Sequence, residues 1–195
     1  NHINSIEKYG FLEKIDPYSL ECISRSPNLP SGGHTWCGGV VVHENGYLYL
    51  NNGNYCYKLD SDCHVIASKK LPQNSAYNSF LIMKDGNLVM KNIEHASDAK
   101  SKFVILEPEF LNQVADEVTI DENSMGRIAM DIDSEGTQWV YVPGRDTFFR
   151  YKYEEASLTL DQSWTPKYRT LNYEEQSFSW DSCISDGGCW FLDNG

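Results

Sequence analysis

Three residue types in this chain are suited to handling a ligand or a proton: a histidine, an arginine and a carboxylate. His34 would serve as a general base, Arg127 would grip an anionic or carbonyl group, and Asp181 would orient a water or a metal. Asn78 and Asp181 together offer the hard oxygen atoms that Ca²⁺ favours, while Trp36 and Trp180 offer flat rings for a bound molecule. The competing reading is structural. Asn and Asp hold turns through side chain to backbone bonds, Arg127 has many carboxylates to pair with, and His34 is an ordinary loop residue.

Six cysteines form a second group: Cys22, Cys37, Cys56, Cys63, Cys183 and Cys189. Six half-cystines allow fifteen pairings. Cys56 and Cys63 flank one predicted turn and Cys183 and Cys189 another, which leaves Cys22 with Cys37. Three such disulfides would point to an oxidising, extracytoplasmic setting. A zinc site is the rival account, since His34 and Cys37 have a short ligand spacing and His43, Cys63 and His64 are near in sequence. A second convergent ligand pair is not evident.

What must position these residues is a set of short strands. A β-branched or aromatic run, a tight turn with Gly and a second such run recur four times, around Gly46, Gly86, Gly136 and Gly187, at steps of 40, 50 and 51 residues. Interleaved with them is an apolar strand ending in an acidic residue that begins a turn. These markers, Asp16, Asp60, Glu107 and Glu154, step by 44, 47 and 47. Ile15 to Leu20 matches Leu106 to Leu111 almost position for position. No segment sustains apolar residues at helical spacing for more than about a turn. A repeat of this length holding four strands is the length of one propeller blade, with a β-sandwich as the alternative.

The expected architecture is therefore an all-β propeller with four-stranded blades of about 40 to 51 residues. Whole blades are expected at about 37–71, 78–120 and 126–164, a half blade at 1–28 and another at 177–195. With neither an initiator Met nor a signal-peptide pattern, the chain reads as a piece of a longer propeller, whose remaining blades would be its first partners. The two end halves could also pair to close a small ring. In either case, loops entering the first strand of each blade converge at one mouth. His34, Asn78, Arg127 and Asp181 would sit around it, one from each successive blade. The insertion from Asn92 to Ser101 is expected to form an exposed loop, and Trp139 and Trp190 to fill the space between blades.

The variant "LDP-x-x-L" turns at Ile15 to Leu20 and Leu106 to Leu111, with the Gly turns opening second strands, resemble the repeats of quinoprotein-like propellers and gluconolactonase-like lactonases. That resemblance covers nearly the whole chain and implies fold before activity. It implies either a binding propeller holding a small molecule or peptide at the channel mouth, or a metal-dependent hydrolase with a channel cation held by carboxylates and amides. A quinone-dependent oxidoreductase is less well supported, because adjacent cysteines and a recurrent tryptophan docking motif are missing.

Charge excludes other classes. With 16 Lys+Arg against 28 Asp+Glu in 195 residues, the net charge is −12. Such a chain repels phosphates, so nucleic acid and anionic membrane are not its default partners. Its longest apolar runs, Val40 to Val42 and Phe80 to Met83, are far too short to span a bilayer.

Overall fold

The structure, a computed structural model, describes residues 9–32, 37–94, 98–144, 147–164, 166, 179–185 and 188–193, with backbone alone at 37, 179–180 and 191–193. Three four-stranded sheets follow one another along the chain. The first is β5 (Cys37–Val42), β6 (Leu48–Asn52), β7 (Tyr55–Leu59) and β8 (Val65–Lys70). The second is β9 (Tyr77–Ile82), β10 (Leu88–Asn92), β11 (Lys102–Leu106) and β12 (Val118–Thr119). The third is β13 (Ala129–Ile132), β14 (Gln138–Pro143), β15 (Phe148–Glu154) and β16 (Ser157–Leu160). All are antiparallel, with strands in chain order.

Before them runs an interrupted hairpin in which β1 (Tyr9–Gly10) pairs with β4 (Leu29–Pro30), and β2 (Glu13–Ile15) with β3 (Cys22–Arg25). After them β17 (Ser179–Ser185) pairs with β18 (Gly188–Asp193). There is no helix among the described residues, and none long and apolar enough to cross a membrane. First strands neighbour one another, β5 beside β9 and β13 beside β17. The arrangement is consistent with a propeller.

Local chemistry explains the repetition. Gly46, Gly86 and Gly136 sit at φ of 85°, 84° and 86°, each donating its N–H to the carbonyl three residues back, in His43, Met83 and Asp133. A type I turn followed by a left-handed residue makes this three-residue hairpin loop, and only glycine takes that φ without strain. The acidic markers hold the outer turns. The Asp16 carboxylate accepts the N–H groups of Tyr18 and Ser19, Asp60 those of Asp62 and His64, and Glu107 those of Glu109, Phe110 and Asn112. The Ser19 N–H leads in holding the Asp16 carboxyl below its usual range, as the His64 N–H does for Asp60. Leu20 and Leu111 take matching left-handed φ values of 59° and 62°, which accounts for the likeness of their segments. Glu154 differs: its turn is a two-residue hairpin with Glu155 and Ala156 both left-handed.

The core lies between sheets. Tyr49, Cys56, Tyr77, Leu88, Met90, Val104 and Leu106 fill the space between the first and second. Val89, Phe103, Ile105, Val140, Val142 and Tyr151 fill that between the second and third. Alternation along β10 sends Leu88 and Met90 one way and Val89 the other, so the strand reads as continuously apolar.

Several expectations are corrected. Trp190 is 63% exposed rather than packed between sheets, because no element lies on its face among the described residues. Trp139 is half-buried, its indole N–H donating to Asp133 and the Arg150 guanidinium lying over its ring. The ends of the insertion, Asn92, Ile93 and Ser101, are buried, because Asn92 and Ile93 bond Ser75 and Ala76 in the loop entering β9 and Ser101 bonds Ser124 in the loop entering β13. The disulfides are not formed. Cys22, Cys56, Cys63, Cys183 and Cys189 are free thiols. Cys56 points into the core against the second sheet, whereas Cys63, at a left-handed φ of 68°, accepts the Ser24 hydroxyl on the other side. Cys183 pairs with Trp190 and Ile184 with Cys189, an offset of one residue that turns the two thiols to opposite faces. The Cys37 side chain lies outside the described residues.

Candidate functional site

The end of the sheets where chain enters the first strands and passes from second to third strands is tied together by polar side chains. Lys91, at the end of β10, is completely buried, and its amine donates to the carbonyl of Ser124 at 2.7 Å and of Asn92 at 3.2 Å. Burial brings that amine down to about 7, against the opposing pull of the Glu94 carboxylate. In the neutral form its two N–H groups match the two carbonyls. The Asn92 amide donates to the Ser75 hydroxyl at 2.8 Å and to Glu94 at 2.7 Å, and accepts the Lys102 N–H at 2.6 Å.

Around Ser124 the loop entering β13 is fixed by four further bonds. Its N–H donates to Ser101 Oγ at 2.8 Å, and the Ser101 hydroxyl returns to the Ser124 carbonyl at 3.1 Å. The Ser124 hydroxyl donates to Pro143 O at 2.6 Å, and the Asn78 amide to Met125 O at 2.5 Å. The site has a bonded floor.

Of the candidates from the sequence, Asn78 is itself part of that floor. Asn78 is buried and uses both ends of its amide, Nδ2 on Met125 and Oδ1 accepting from Ser79 at 3.2 Å. Arg127 has an exposed side chain, and its carbonyl accepts the Ser182 hydroxyl at 2.9 Å. Asp181 is exposed and accepts the Ser182 N–H at 3.0 Å. Asn78 lies in β9, Arg127 two residues before β13 and Asp181 in β17, and the Asn78–Met125 and Ser182–Arg127 bonds link these segments. His34, Trp36 and the Trp180 side chain lie outside the described residues. No group of three or more His, Cys, Asp or Glu able to hold a metal occurs among the described residues.

The opposite end has a cavity of about 320 Å³ lined by Val42, Ile82 and Ile132, with His43 and Lys84 at its margin. The polar groups of His43 and Lys84 are already bonded: the His43 Nε2–H to Gly86 O at 2.9 Å, its Nδ1 to the Asn45 N–H, and the Lys84 amine to Gly136 O at 2.9 Å. Sequence reasoning missed Lys91, Asn92, Ser101 and Ser124 as a unit. One signal was available: a lysine directly after the buried run Leu88-Val89-Met90, at the repeat position held by Asn51.

No family model matches the chain, and no curated protein matches it. Among solved structures it is similar to the crystal structure of a protein of unknown function from Bacteroides caccae, at 15% identity and a TM-score of 0.57. The match covers 94% of this chain and 61% of that one, so this chain spans less than two thirds of its structural neighbour. The likeness is one of fold. It assigns no chemistry to Arg127, Asp181 or the buried network beneath them.

Proposed function

We propose that the chain is an arc of a quinoprotein-like β-propeller, each four-stranded sheet being one blade, and that it acts as a binding or interaction module with its ligand at the end where loops enter β9, β13 and β17. The observation that carries this reading is the division of labour at that end. Lys91, Asn78 and Ser124 are buried with their side-chain polar groups bonded, whereas Arg127 and Asp181 are exposed directly beside them. Fixed backbone under exposed polar side chains suits recognition of a small polar molecule or peptide. The metal-dependent hydrolase alternative needs Asn78 Oδ1 and Asp181 on one cation, and Asn78 is already committed at both ends. Further blades would extend the arc, in keeping with the longer chain of the structural neighbour.

Thermal unfolding against small carboxylates, short peptides and Ca²⁺ tests this, since a ligand that binds only the folded state raises the melting temperature. The expected result is a stabilising ligand whose shift is lost in Arg127→Ala and Asp181→Ala and kept in Lys152→Ala. A shift given by Ca²⁺ alone, lost in Asn78→Ala and indifferent to Arg127→Ala, would sink the binding reading in favour of the hydrolase.

A further inference from the structure

Val42, Ile82 and Ile132 hold one place in three successive repeats, four residues before Gly46, Gly86 and Gly136 at the ends of β5, β9 and β13. All three line the cavity of about 320 Å³ at the end of the sheets away from the Lys91 network, with Met83 and Met130 completing its walls. Ile132 is 41% exposed although its sheet packs on the second sheet on one side and meets β17 on the other. The opening therefore belongs to the repeat. Ile82 and Ile132 lie within the row of sheets, so further blades at either end leave the cavity in place. Apolar side chains left open at one position in successive repeats suit a bound molecule rather than a core.

Two ionised side chains of opposite sign stand at its rim, on different turns. Glu44, in the turn of the first sheet, is exposed and makes no hydrogen bond or ion pair among the described residues. Lys84, in the turn of the second sheet, is pinned toward the third: its N–H donates to Gln138 Oε1 at 2.7 Å and its amine to Gly136 O at 2.9 Å. An ammonium has three donors, so two remain. The turns that carry these charges are set beforehand, because His43 bonds both Gly86 O and the Asn45 N–H. Such fixing lowers the cost of ordering the site when a ligand arrives.

The geometry points to a short apolar peptide with free ends as the occupant, its ammonium at Glu44, its carboxylate at Lys84 and its side chains on Val42, Ile82 and Ile132. A neutral apolar molecule would strip water from both rim charges and return nothing, and an amphiphile with one charge would answer only one of them. Charges on separate turns call for a ligand whose own charges stand apart. Two residues of extended chain span about 7 Å, whereas the charges of a single amino acid share one carbon. A cavity at the lower end of the usual range for ligand pockets holds a molecule of that size. This site is distinct from the one proposed where loops enter β9, β13 and β17 and does not rest on that reading.

The test is a titration of the whole chain, with labelled Ile, Val and Met methyl groups followed by NMR, against the dipeptide valyl-valine and its two capped forms. The expected result is saturable shifts at Ile82, Met130 and Ile132 with Met125, at the far end of the sheets, unmoved. Blocking either end, as N-acetyl-valyl-valine or valyl-valinamide, should weaken binding by about threefold, the worth of one exposed ion pair. Glu44→Gln should weaken valyl-valine by the same factor and leave the N-acetyl form as it was. Ile132→Ala should weaken all three by about tenfold through lost apolar contact. The absence of a saturable shift at millimolar peptide overturns the inference, as does equal binding of the free and capped forms or indifference to Glu44→Gln. Shifts confined to Met125 would place the peptide at the loop-entry end, which supports the earlier reading and overturns this one. If Ile132→Ala fails to fold, the capped peptides and Glu44→Gln, which leave the core intact, decide alone.

Discussion

Asn51 and Lys91 hold the same place in successive repeats, five residues after Gly46 and Gly86, and their side chains meet opposite fates. Both are buried at the end of a second strand. Lys91 spans the gap between the second and third sheets and bonds two carbonyls, whereas both polar atoms of the Asn51 amide are buried without a partner. The difference is one of reach. A lysine stem crosses to the loop entering the next sheet, and an asparagine stops short. A buried polar group left unmade costs about 1–3 kcal/mol, so the second–third interface is polar and satisfied while the first–second interface carries a penalty.

The largest expected effect comes from removing that reach. Lys91→Ala leaves the Ser124 and Asn92 carbonyls short of a donor and opens a void, and at pH 10 it should destabilise the protein by about 3–5 kcal/mol in denaturant unfolding. A loss under 1 kcal/mol would show that the network does not hold the two sheets.

Slightly smaller is the pH dependence that the same residue builds in. Burial holds the folded amine at about 7, below the ordinary value of 10.5. Between these values the unfolded chain binds a proton that the folded chain lacks, so the Lys91 contribution to stability rises with pH through the window and is lowest below pH 7. The gain should be on the order of 4 kcal/mol from pH 7 to pH 10. Tyrosines and cysteines of the unfolded chain titrate near the upper end while burial raises those of the core, so the quantity to measure is the wild type minus Lys91→Met, which cancels them. A flat difference would mean that the amine stays charged when folded.

The other half of the comparison predicts the opposite sign. Asn51→Leu removes an amide that has no partner and keeps the volume, so it should stabilise by about 1–2 kcal/mol, whereas a leucine at position 91 should not. Destabilisation by Asn51→Leu would mean that the amide is satisfied in solution, for instance by a buried water.

How much of this was legible follows from the range of the interactions. The hairpins around Gly46, Gly86 and Gly136 and the turns at Asp16, Asp60 and Glu107 are closed by bonds within a few residues, and their chemistry is written in consecutive letters. The places of Asn78 and Asp181 within first strands followed from the repeat. The floor did not. The bonds of Asn78 to Met125, Lys91 to Ser124 and Ser101 to Ser124 cross 47, 33 and 23 residues, and nothing local marks them. A lysine at a strand end reads as exposed, and the polar insertion reads as a loop. Trp190 was misread for a related reason: its spacing from Trp139 gives its place in the hairpin, while its burial depends on what covers that hairpin.

The smallest predicted effect carries the comparison to the other end of the same two interfaces. Across the first–second interface the Tyr49 hydroxyl donates to Pro108 O at 2.8 Å and accepts from Asn45. Across the second–third, the Tyr153 hydroxyl donates to the Asp85 carboxylate at 2.7 Å and accepts from Asn87. A neutral bond contributes about 0.5–1.5 kcal/mol and one to a charged acceptor about 1.5–3. Tyr153→Phe should therefore cost about 1 kcal/mol more than Tyr49→Phe at neutral pH. Equal costs at neutral pH would place the extra strength of the second–third interface in Lys91 and its network alone, and would confine the contrast between the two interfaces to the end where the loops enter.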